Sequence, residues 1–320
     1  MAGIEGLGGA EGLGGTGGLG GTGGLGGTEG LGGTGGLGGI VDSHQHFWDL
    51  AAHDQPWLRL PGNEPLLRNY SEADLRPLAD AAGVTATVVV QTLIGPEETP
   101  ELLELAGASD LVAGVVGWVD LQDGGVDRTL AELQEGPYGG HLRGIRHPVL
   151  VESDPDWLRR PAVLHGLAAV GVAGLSYDLV LPAAVLPAAV YAVEACPDVT
   201  FVLDHLGNPD LLERPDEGWV TSIRALGALG NTFCKLSGVL SEPAPGGGSG
   251  VAHLLPYYEV ALEAFGPERL MFGSDWPPCT VTSSYGAVVA AARALASGLG
   301  PDERAAVFGG TARRAYRLDG

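Results

Sequence analysis

The segment Ser43-His44-Gln45-His46 closes an apolar run and sets two imidazoles two residues apart. In an extended chain residues i and i+2 project from one face, so both rings can address a single atom. That atom could be a metal ion or an oxygen of a bound molecule. Asp204-His205 follows the run Thr200 to Leu203, and Asp275 follows Leu270 to Gly273. A lone Asp-His or Gly-Ser-Asp is common in caps and turns, and a His-X-His also arises by chance, so position must decide. Taken together, His44, His46, His205 and Asp275 supply three imidazoles and one carboxylate. The set suits two chemistries. It could hold one divalent, zinc-like ion, with Asp275 also taking a proton from water. Without a metal, the histidines could donate to a carbonyl oxygen while Asp275 acts as general base.

Other polar residues fall at the ends of apolar runs, namely Gln91, Asp120, Arg146 with His147, Tyr177 with Asp178, and Lys235 with Ser237. Arg146 could pair bidentately with a carboxylate or bridge hydroxyls of a ligand, or form a structural ion pair. Gln91, Arg146, His147, Tyr177 and the aromatic Trp48 are taken as a substrate-binding wall, with core packing the rival reading for the aromatics. Lys235 lies inside an apolar run, where an unpaired ammonium would be costly, so it needs either a carboxylate partner, the favoured reading, or a role at the mouth.

These ends require a frame. Eight short apolar runs succeed one another: 40–47, 84–94, 112–121, 142–149, 173–181, 199–207, 231–239 and 269–276. Several are nearly continuous in Val, Ile, Leu and Ala, as expected of strands covered on both faces of a parallel sheet. Helical stretches intervene, at 71–82, 155–170, 183–196, 254–265 and 285–297. Ser71 serves as N-cap of the first, with Glu72 and Asp74 in its opening turn and Gly83 as its stop. Eight β-then-α units over about 280 residues predict an α/β fold, a (β/α)8 TIM barrel, whose active sites are built at the C-terminal ends of the strands. A doubly wound sheet would call for a glycine fingerprint between an early strand and its helix, and none is present.

Residues 1–39 hold 22 of the 54 glycines in a Gly-Leu-Gly-Gly-Thr-Gly repeat. Glycine loses the most backbone entropy on ordering, so 1–39 is expected to be a disordered tail and 40–320 the catalytic domain. A net charge of −22 without a Lys/Arg cluster argues against nucleic acid and anionic membrane as partners. Three cysteines without a CxxC argue against a disulfide framework. With no signal-peptide pattern and no spanning apolar stretch, a cytoplasmic enzyme is expected, with room for a homo-oligomer.

The motifs Ile40-Val41-Asp42-Ser43-His44-Gln45-His46-Phe47-Trp48-Asp49, Gly144-Ile145-Arg146-His147, Phe201-Val202-Leu203-Asp204-His205-Leu206-Gly207, Cys234-Lys235-Leu236-Ser237-Gly238 and Arg269-Leu270-Met271-Phe272-Gly273-Ser274-Asp275-Trp276-Pro277 resemble the amidohydrolase-related family. The branch most similar holds sugar-acid and dicarboxylate lactonases, among them L-fuconolactonase, L-rhamnonolactonase and 2-pyrone-4,6-dicarboxylate lactonase. The likeness runs from Ile40 to about Leu318 and includes the closing segment Gly310 to Tyr316. It implies an amidohydrolase-type barrel opening a small-molecule lactone, a sugar-acid or related carboxylated ring, with His44, His46, His205 and Asp275 as catalytic residues. The same four would be the ligands if one divalent ion, zinc first, is bound; no cofactor is the alternative. The run 173–181 lacks a histidine and no lysine ends the fourth run, so two metals are not expected. The rival functions are a metal-dependent decarboxylase of the same superfamily and a non-catalytic barrel that binds a sugar acid.

Overall fold

A computed structural model of the chain describes residues 39–242 and 251–319. The expected tail lies outside the described residues, apart from Gly39. Eight strands form a single parallel sheet in sequence order: β1 (Ile40–Gln45), β2 (Val84–Val90), β3 (Val112–Gly117), β4 (Leu142–Pro148), β5 (Ser176–Val180), β6 (Thr200–Leu203), β7 (Thr232–Leu236) and β8 (Leu270–Phe272). The last strand returns to the first. His46 N–H donates to the Trp276 carbonyl at 2.8 Å, and Asp275 N–H to the His44 carbonyl at 2.8 Å. With helices between the strands, this is the expected (β/α)8 barrel.

The strands are buried on both faces because they divide their side chains between two cores. Val41, Val88, Val90, Val116, Val202 and Met271 point into the barrel and meet Ala312, Ala315 and Tyr316 of the closing helix Thr311–Tyr316. That helix plugs the N-terminal end of the barrel, where Ser176 Oγ donates to the Ala315 carbonyl at 2.6 Å. The alternate residues, such as Val89, Val115, Ile145, Tyr177, Phe201 and Leu236, pack outward against the helical layer.

The helix Glu72–Ala82 starts as expected, with the Asp74 carboxylate accepting from both the backbone N–H and the hydroxyl of Ser71, and it stops at Gly83 with φ +75°. The helix expected at 155–170 begins later, at Pro161. Residues Trp157–Arg159 form a short 3-10 turn instead, anchored by the Asp154 side chain accepting from Arg160. No helix among the described residues is long and apolar enough to cross a membrane.

Candidate active site

His44 projects from β1 and His46 from the residue just beyond it, while His205 and Asp275 come from the turns after β6 and β8. The approach of β8 to β1 depends on Gly273, where a Cβ would lie 2.8 Å from His44 Cβ. Asp42, wholly buried, fastens the same junction: its carboxylate accepts from Ser274 N–H (2.7 Å), His44 N–H (3.2 Å) and the Tyr285 hydroxyl (3.0 Å).

The turn after β6 is unusual. His205, Leu206, Gly207 and Asn208 all carry positive φ, and Asp275 has φ +57°. Non-glycine residues pay about 1–3 kcal/mol each in such conformations, and they persist where the surrounding structure over-determines them. The strain turns the His205 ring onto Gly238, itself at φ +64°, where a Cβ would fall 2.8 Å from His205 Cγ. Gly238→Ala should therefore destabilise the fold by about 1–3 kcal/mol and lower kcat by displacing this ring. Thermal melting and steady-state kinetics check it; wild-type values in both would contradict the account.

The four residues expected at the mouth are brought together. His44 Nε2 and His46 Nε2 are 3.1 Å apart, and each is 3.6 Å from Asp275 Oδ1. The His205 ring centroid is 4.6 Å from that of His44, and its Nδ1 is hydrogen-bonded to Ser237 Oγ at 2.8 Å. His46 Nδ1 lies 2.7 Å from the Val90 carbonyl, which can only accept, so this nitrogen carries the proton and Nε2 holds a lone pair. The donor atoms suit a divalent ion. Tetrahedral bonds of about 2.0–2.1 Å separate ligand atoms by about 3.3 Å, close to the spacing of His44, His46 and Asp275.

Beneath this cluster runs a chain of buried charge. Lys235, with no exposed surface, places Nζ 2.6 Å from Asp178 Oδ2, 2.9 Å from Asp204 Oδ1 and 3.2 Å from His44 Nδ1. Its expected carboxylate partners are thus present. Arg146 Nη1 is 3.3 Å from Asp204 Oδ2, and Nη2 donates to the Gln91 carbonyl (2.5 Å) and Oε1 (2.9 Å). The Tyr316 hydroxyl donates to Asp178 Oδ2 at 2.7 Å, linking the plug helix to the site.

Burial, followed by the charge of Lys235, holds His44 well below the ordinary imidazole pKa, and burial lowers His205 despite Asp275 and Asp204 nearby. Burial alone would raise Asp275, but the rings of His205, His44 and His46 outweigh it and keep the carboxyl strongly acidic. Asp204 is likewise held low by Lys235 and His44 against its burial. At neutral pH Asp275 is therefore an ionised carboxylate beside the neutral rings of His44 and His205.

A cavity of about 570 Å³ opens above His205 and Asp275. Trp57, Asn63, Asn208, Asp210, Ser241 and Glu242 are among its walls, and no described lining residue is Lys or Arg. Of the expected substrate wall, Arg146 and Gln91 lie at the cluster but are bonded to each other. The other three turn away from the centre. Tyr177 packs on Phe201 in the helical layer. His147 stacks on Trp157 and bonds Trp118 and Glu152. Trp48 packs between Trp57 and Tyr70, with its indole N–H on the Arg68 carbonyl. Asn63 and Glu242 of the cavity wall fall in the stretches 50–69 and 241–252, which the sequence marks as loops able to carry specificity, while Asn208 lies outside both.

The protein-family model described as "Amidohydrolase" matches residues 41–318. The chain belongs to this family. Among curated relatives of this amidohydrolase, an L-fucono-1,5-lactonase from Burkholderia multivorans is 40% identical over 293 residues, spanning 87% of this chain and 96% of the relative. A second, from Burkholderia ambifaria, is 35% identical over 285 residues with the same coverage. The crystal structure of a Burkholderia multivorans amidohydrolase with bound zinc superposes with a TM-score of 0.80 at 36% identity, covering 87% of this chain and 99% of that one.

Proposed function

We propose that this amidohydrolase is a lactonase acting on an uncharged, hydroxyl-bearing sugar lactone, with residues 40–320 as the catalytic unit of a cytoplasmic enzyme. The observation that carries the reading is Asp275, ionised beside His44, His46 and His205 at the floor of a cavity whose described walls offer carboxylates and amides but no cation. Such walls match the hydroxyls of a sugar ring, and they repel a substrate carboxylate. The relatives named L-fucono-1,5-lactonase support the same substrate class.

Asp275 accepts the proton of a water that attacks the lactone carbonyl. Its contribution comes from position: the carboxylate is ionised at neutral pH and held at the attack site. The carbonyl oxygen, negative in the tetrahedral intermediate, lies against the His44 and His205 rings. Collapse breaks the ring C–O bond, and protonated Asp275 returns its proton to the departing hydroxyl. One zinc ion, held by His44, His46 and Asp275 with His205 alongside, would add Lewis-acid polarisation of the carbonyl.

The chemistry needs neutral imidazoles. Since His44 and His205 both titrate below their ordinary value of 6.5, kcat/KM should be level from about pH 6.5 to 8 and decline only as acid protonates the rings. An acid limb centred above pH 6.5 would contradict the assignment. The substrate class is tested by comparing kcat/KM for neutral aldonolactones with that for ring-carboxylated lactones. The neutral set should lead by at least about 100-fold, as expected when a buried charge must be left unpaired; a preference for the carboxylated set would overturn the reading.

A further inference from the structure

Lys235 does more than neutralise two acids. An ammonium has N–H groups only, so the hydrogen bond of 3.2 Å between Lys235 Nζ and His44 Nδ1 requires a lone pair on Nδ1. Asp204 Oδ1 also faces this nitrogen, at 3.3 Å, but its nearer partner is the Lys235 ammonium, at 2.9 Å. On the opposite side of the ring, His44 Nε2 meets His46 Nε2 at 3.1 Å, and that atom is an acceptor because His46 Nδ1–H is held by the Val90 carbonyl. Both contacts ask for the ring proton on Nε2. One contact opposes them: Arg146 Nη1 approaches Nε2 at 3.4 Å, but it is the longest of the three, and Nη1 has Asp204 Oδ2 at 3.3 Å to receive it.

We propose that Lys235 is a positioning residue that fixes the tautomer of His44. By donating to Nδ1, it keeps the ring proton on Nε2, the nitrogen that faces His46 and Asp275. Asp178 and Tyr316, bonded to the ammonium and to one another, keep Lys235 from turning wholly toward Asp204. The same hydrogen bond works against metal binding through His44 Nε2, which needs its lone pair and hence a proton on Nδ1 given to Asp204. Lys235 therefore tunes one histidine between hydrogen-bond donor and metal ligand without changing its charge. The inference rests on the catalytic role of His44 given above, but its primary readout is the tautomer, which is independent of whether lactones are substrates.

The test is the ¹⁵N spectrum of histidine-labelled full-length protein at pH 8 after dialysis against a chelator, with the His44 signals assigned by loss in His44→Gln. In wild type, Nδ1 should show the shift of an unprotonated nitrogen and Nε2 that of an N–H. The double variant Lys235→Met/Asp178→Asn removes one buried charge of each sign and leaves Asp204 as the acceptor. It should reverse the pattern and tighten zinc binding in chelator competition by about tenfold, the low end of outer-shell effects on metal affinity. Asp178→Asn alone, which leaves Lys235 between Asp204 and His44, should keep the wild-type pattern. A proton on His44 Nδ1 in wild type would overturn the proposal with no variant required. Reversal in Asp178→Asn, or unchanged tautomer or zinc affinity in a folded double variant, would overturn it equally.

Discussion

The Asp275→Asn variant should lose lactone hydrolysis by about 10³-fold in kcat, in the middle of the range for removing a general base, while folding as the wild type does. Two features make this substitution informative. Asp275 sits at φ +57°, a conformation that asparagine tolerates nearly as well as aspartate, so the turn after β8 keeps its path. The side chain is also isosteric, so the contacts with His44 and His46 at 3.6 Å lose charge and not volume. The loss should therefore appear in kcat with KM little changed, and the far-ultraviolet spectrum and melting temperature should stay close to wild type. A variant retaining more than a tenth of wild-type kcat would remove Asp275 from its role.

The second large effect falls on stability. Asp204 has no exposed surface and stands between two cations, with Lys235 at 2.9 Å and Arg146 at 3.3 Å. In Asp204→Asn both cations face the interior with Asp178 as the remaining carboxylate among their partners. Breaking a buried ion network from one side costs about 3–5 kcal/mol, because the surviving charges stay desolvated. For a domain of this size the melting temperature at pH 7 should fall by on the order of 10 °C. The exposed pair Arg59 with Asp54 is the contrast, since water solvates both ends already and Asp54→Asn should leave the melting temperature in place. Equal, small shifts in the two variants would show that the network under the active site is not what holds the barrel mouth together.

The barrel and its four central residues were legible because two independent signals coincide. Strand-like apolar runs mark where β1, β6 and β8 end, and the polar residues that follow have few places to go except the mouth. His44, His46, His205 and Asp275 do meet there. What the runs do not carry is phase. A parallel strand is apolar on both faces, so nothing in Ser176-Tyr177-Asp178 says which residue looks inward, and a shift of one reverses the answer. In the structure Asp178 faces the barrel and bonds Lys235, while Tyr177 lies in the helical layer. The same ambiguity separates Arg146, which points in, from His147, which points out. The cost of burying Lys235 unpaired points to a carboxylate or to the mouth, but its partners come from β5 and the end of β6, 57 and 31 positions away, and only closure of the barrel brings them within 3 Å. In the cavity wall the loops 50–69 and 241–252 were visible as candidates and the individual contacts were not. Asn63, Asn208 and Glu242 belong to loops whose composition does not distinguish a binding surface from a solvated turn.

The central claim, that the cluster opens an uncharged sugar lactone, is tested most directly with L-fucono-1,5-lactone itself. Acid release would be followed by a pH indicator at pH 7, below the range where lactones open rapidly without a catalyst, and the product identified by NMR as the open-chain hydroxy acid. The account predicts turnover with kcat/KM of at least about 10⁴ M⁻¹s⁻¹, the lower end for enzymes on their own substrate class, abolished in Asp275→Asn. Acid release no faster than in buffer, with the protein folded and zinc supplied, would contradict it.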